Sequence, residues 1–106
     1  MRGMRGLAVV VAGTDLPRFK TALTLAASQA ALGGRARLLL DGESVRLATE
    51  GGELLQSCFD LGVSVILCQS GLAAAGLDAS ALDARFEYGG MVGFLADLGE
   101  DRLLIA

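Results

Sequence analysis

Cys68 is the residue on which chemistry could be built. It ends the apolar run Val63-Ser-Val-Ile-Leu-Cys68 and is followed at once by Gln69-Ser70-Gly71, which can open a helix. A thiol placed there meets free backbone N–H groups and the positive end of a helix dipole. Both favour the thiolate and lower the thiol pKa. Gly71, beside Ser70, would let a bound sulfur species or anion approach the backbone closely. The alternative at this position is a small apolar residue closing a buried strand, a common place for inert cysteine. Cys58 differs. It follows Leu54 by four positions on the apolar face of a helix, away from any helix N-terminus, and reads as packing. A pairing of the two is not expected. The helix continues for about 4.5 Å past Cys58 and the strand climbs about 16 Å to Cys68, beyond the roughly 7 Å Cα limit of a disulfide.

Other motifs offer less. Gly89-Gly90-Met91-Val92-Gly93 resembles a phosphate loop only in its glycines. It lacks the Lys-Ser/Thr of a P-loop and the spacing of a dinucleotide fingerprint, so a tight turn is the plainer reading. Glu87 and Tyr88 could flank a thiol pocket, although a carboxylate there opposes thiolate formation. Arg18, Arg35, Arg37 and Arg46 are scattered and read as a solvated face. The candidate set is therefore Cys68 as the reactive group, with Gln69, Ser70, Gly71, Gly89 and Gly90 as anion- or substrate-binding positions.

Composition narrows the classes further. With no His there is no Ser-His-Asp triad, Cys-His dyad or His-ligated metal, and two cysteines cannot build a four-cysteine site. No metal or organic cofactor is expected. A net charge of −3 speaks against sequence-independent nucleic-acid binding, which needs a basic face. No apolar run reaches the roughly 18 to 20 residues of a membrane span, and the basic opening Met1-Arg2-Gly3-Met4-Arg5-Gly6 precedes too short an apolar segment for a signal peptide. The expectation is a cytoplasmic protein with no nucleic-acid or membrane partner. The chain is 53% hydrophobic yet 5% aromatic. A sheet covered on both faces and a buried subunit interface would each absorb that surplus.

The positioning elements alternate. Leu7–Ala12 suits a covered parallel strand. Thr14 or Asp15 caps a helix with Pro17 in its first turn, running to about Leu32 with Leu16, Phe19, Leu23, Ala26, Ala27 and Ala30 inward, and Gly33-Gly34 stops it. Arg35–Leu40 is a second strand, Ser44–Leu47 a helical turn, Glu53–Asp60 a helix and Val63–Cys68 the third strand. Gln69–Ala75 is a short helix closed by Gly76, and Asp78 caps a further turn. Arg85–Tyr88, Met91–Leu98 and Arg102–Ile105 complete a fourth strand, a last helix and a fifth strand. Residues 1–106 thus read as one α/β domain with a five-stranded parallel sheet and helices on both faces. Function gathers at the carboxyl ends of such strands.

The run from Cys68 through Gly76 to Leu82, then Phe86-Glu-Tyr-Gly-Gly-Met-Val-Gly-Phe-Leu95, resembles the DsrE/DsrF-like sulfur-relay family. The shared pattern is a cysteine ending a strand, a short helix, a glycine eight residues on and a glycine-rich turn before the last helix. The Ala-rich first helix ending at Ala31-Leu32-Gly33-Gly34 is similar too. The resemblance implies a three-layer α/β/α fold assembled into trimers or hexamers. For some members it also implies a cysteine that accepts sulfur as a persulfide and passes it to another protein, here Cys68. Partners would then be further copies of the chain and a sulfur donor or acceptor protein. The alternative is a non-catalytic, oligomer-forming or small-anion-binding module of the same fold.

Overall fold

The computed structural model describes residues 4–106, so the expected basic opening lies partly outside the described residues. The chain runs β1 (Leu7–Val11), α1 (Leu16–Ala31), β2 (Ala36–Leu40), a 3₁₀ segment (Gly42–Thr49), α2 (Gly52–Asp60), β3 (Ser64–Cys68) and α3 (Gln69–Ala75). A short 3₁₀ turn (Ala79–Ala81), β4 (Glu87–Gly89), α4 (Met91–Ala96) and β5 (Arg102–Ile105) follow. The five strands are all parallel, in the order β4-β3-β2-β1-β5. The α/β/α architecture expected from the alternation is therefore present.

That strand order dictates what covers each face. From β1 to β4 the chain steps steadily in one direction, and right-handed crossovers put every connection on the same side. Accordingly α1, α2 and α3 pack on one face, where Phe19, Leu23, Leu55 and Leu72 meet Val9, Val11, Leu38, Leu40, Val65 and Leu67. From β4 the chain must return past β1 to the opposite edge, so its connection crosses the other face. That face receives only α4, whose Phe94 packs on Ala8, Val10 and Leu39.

Local chemistry sets the element ends. The Asp15 carboxylate accepts from the Arg18 N–H at 3.2 Å, and Pro17 occupies the first turn of α1. Buried Gln29 closes the far end of α1 by donating to the Arg5 carbonyl at 2.7 Å and the Arg35 carbonyl at 3.3 Å. Gly76 takes the left-handed conformation, with φ of 69°, at the end of α3.

Arg37 corrects the expectation of a solvated arginine face. It lies on β2 with its side chain on the α4 side, buried, its guanidinium 4.3 Å from the Phe94 ring centroid. It donates to the Phe94 carbonyl at 3.3 Å and pairs with the buried Asp101 at 3.7 Å. Asp97 joins at 3.7 Å from Arg37 and 2.6 Å from Arg35. A charge on a buried strand position needs such partners, because an unpaired one would cost several kcal/mol. Here they fasten the single helix of the thin face.

Candidate functional site

In an open parallel sheet, ligands gather where neighbouring strands send their following connections to opposite faces. In this molecule β3 leads into α3 on the thick face, and β4 leads into α4 on the thin one. The crevice between their carboxyl ends is that point, and Cys68 and Gly89 are register partners there. The position of Cys68 thus follows from topology as well as from its strand.

Cys68 is 6% exposed and caps α3. Its sulfur accepts from the Gly71 N–H at 3.4 Å and lies 3.3 Å from the Ser70 hydroxyl oxygen. The thiol pKa falls below its ordinary value. The Ser70 hydroxyl is the chief cause, and the backbone N–H groups of Gly42 and Gly71 add to it; burial and the Asp41 charge oppose them. All three lowering groups favour the anionic form of the sulfur.

Gly71 also has a close backbone neighbour that its sequence does not show. A Cβ there would fall on the Gly42 carbonyl, so the missing side chain lets the 3₁₀ segment approach α3. Ser44 holds the segment in turn: its buried hydroxyl lies 2.8 Å from the Val11 carbonyl and 2.7 Å from that of Gly13. Sequence reading placed a shorter turn here and did not single out Ser44.

The remaining candidates separate. Ser70 lines a cavity of about 400 Å³ between the 3₁₀ segment and α3, with Gly42, Glu43, Arg46 and Gly71. Gln69 is exposed and makes no hydrogen bond to the sulfur among the described residues. Gly89 and Gly90 open instead into a smaller hollow of about 190 Å³ under α4, with Arg37, Glu87 and Asp97. Two carboxylates and an arginine already committed to Asp101 make that hollow a poor anion cradle. Glu87 therefore does not flank the thiol.

Cys58 is fully buried on α2, and its thiol donates to the Leu23 carbonyl at 3.3 Å. Burial pushes its pKa up to about 11. Both cysteines are free. No group of three or more His, Cys, Asp or Glu side chains among the described residues could hold a metal ion. No helix among them is long and apolar enough to cross a membrane.

No protein-family model matches the chain, and no curated protein does. Among solved structures, the YchN protein from E. coli is similar over 97% of this chain and 100% of its own, with a TM-score of 0.77 at 19% sequence identity. At that identity the likeness speaks for the fold, and the chain has the DsrE/YchN-type fold that its sequence resembles.

Proposed function

We propose that this protein is a cofactor-independent sulfur acceptor and carrier, with Cys68 as its only catalytic residue. One observation carries the reading: the Cys68 sulfur sits at the sheet crevice against the Ser70 hydroxyl and the Gly71 N–H. The Cys68 thiolate attacks the outer sulfur of a sulfane donor. A bond forms from Sγ to that sulfur, the donor's S–S bond breaks, and the electron pair leaves on the donor's inner sulfur. The resulting persulfide passes its outer sulfur to a thiolate on a partner protein. Cys58 cannot resolve it, being buried against Leu23 on another element with its thiol protonated.

The test is incubation with polysulfide followed by cyanolysis and intact-mass measurement. Wild type should gain a cyanide-labile sulfur, Cys58→Ala should match it, and Cys68→Ser should gain none. Equal loading of wild type and Cys68→Ser would sink the reading.

Self-association belongs to the same proposal and rests on different residues. On the thin face Leu103 and Ile105 of β5 share a side with α4, and Val92 and Leu95 of α4 are exposed as well. Ile105 is 76% and Val92 85% exposed. Apolar side chains left open together on an otherwise covered sheet suit contact with further copies of the chain. The alternative, a non-catalytic self-associating module, draws on this face and on the low exposure of Cys68. It predicts an oligomer in light scattering with no sulfur on Cys68.

A further inference from the structure

The cavity lined by Ser70 and Gly71, the two residues in contact with the Cys68 sulfur, carries a pattern that the proposed thiol chemistry does not need. Glu43 and Arg46 both line it and stand three residues apart on a 3₁₀ segment, where side chains at that spacing eclipse. Both are exposed, and neither is in an ion pair among the described residues. One wall therefore offers a free carboxylate and a free guanidinium next to each other, with the Ser70 hydroxyl on the opposite wall.

The volume agrees with an organic occupant. A space of about 400 Å³ falls within the roughly 300–1,000 Å³ of small-molecule sites. An inorganic sulfur dianion would leave most of it empty and would face the Glu43 charge. Arg46 presents a planar fork suited to a carboxylate, and Glu43 accepts from an ammonium.

We infer that the donor served by this cavity is a low-molecular-weight persulfide of an amino acid or short peptide, its carboxylate held by Arg46 and its ammonium by Glu43. This rests on the sulfur-acceptor reading and names its substrate class. With R–S–SH as donor, the Cys68 thiolate takes the outer sulfur together with its hydrogen. R–S⁻ leaves with the electron pair of the broken S–S bond, and no further oxidant or reductant is required.

The experiment measures sulfur loading of Cys68 by intact mass with three probes: glutathione persulfide, its carboxyl diester, and its N-acetyl form. Wild type should load the uncapped donor about two- to fivefold faster than either capped one, the upper part of the range for solvent-exposed charge pairs. Arg46→Gln should erase the preference over the diester, and Glu43→Gln the preference over the N-acetyl form. Equal rates for all three donors, or preferences that survive both substitutions, overturn the inference while leaving the acceptor reading standing. If no donor loads Cys68, the acceptor reading fails. Binding of S-methylglutathione to Cys68→Ser then decides the cavity's role by calorimetry. Affinity that falls with Arg46→Gln and Glu43→Gln upholds the recognition, and absence of binding overturns it.

Discussion

Cys58 and Cys68 stand ten positions apart, and both are almost completely removed from solvent. Their thiols are nevertheless driven in opposite directions. Cys58 sits on the inward face of α2, where burial pushes its thiol up, the Leu23 carbonyl accepts from the protonated form, and the Ala27 backbone opposes burial only in part. Cys68 ends β3, where the Ser70 hydroxyl and the Gly42 and Gly71 backbone lower its pKa and Asp41 opposes them. Burial raises both pKa values, but it dominates at Cys58 and is outweighed at Cys68. The strength of the hydrogen bonds set against burial separates the two thiols.

The widest separation should appear in alkylation. With Cys58 near 11 and Cys68 below 9.0, their thiolate populations at neutral pH differ by more than about a hundredfold. Iodoacetamide followed by peptide mapping should modify Cys68 first by at least that factor. Comparable rates would break the contrast.

A second separation is thermodynamic and belongs to Cys58 alone. Its folded pKa lies above the unfolded value, so the stabilisation it gives is whole below about pH 9.0 and is lost as pH rises through about 11. The full loss is about 3 kcal/mol. Urea unfolding of wild type and Cys58→Ala across that window should give stabilities that converge at high pH. A constant difference would show that the buried thiol is not the group responsible.

What could be read in the sequence was what local patterns determine. The bounds of α3 and β5 are as expected, because a strand-ending cysteine, a glycine stop and a short apolar run are local signals. β4 is not: it spans Glu87–Gly89 rather than Arg85–Tyr88. Asp83 accepts from the Arg85 N–H at 2.9 Å and binds its guanidinium, holding that residue in a turn. Arg37 could not be placed, because its anchors Asp97 and Asp101 arrive from the far end of the chain. The candidate site divided for a related reason. Cys68, Ser70 and Gly71 are local neighbours and come together, whereas Gly89 and Gly90 face a different hollow because strand order sends β4 to the opposite face. Glu43 and Arg46 share the cavity because the 3₁₀ segment starts at Gly42 instead of Ser44.

The smallest expected effect tests the cause of the contrast most directly. Ser70 is exposed and on the first turn of α3, so Ser70→Ala removes one hydroxyl without disturbing the core. It takes away the largest influence lowering the Cys68 pKa and leaves the Gly42 and Gly71 N–H groups in place. The thiol pKa should rise toward its ordinary value, and alkylation at neutral pH should slow roughly several-fold as the thiolate fraction shrinks. At a pH well above the thiol's ordinary value both proteins hold a thiolate, and their rates should meet. Slowing that persists at high pH would mean the hydroxyl governs access to the sulfur. Its donated hydrogen bond would then not be what separates Cys68 from Cys58.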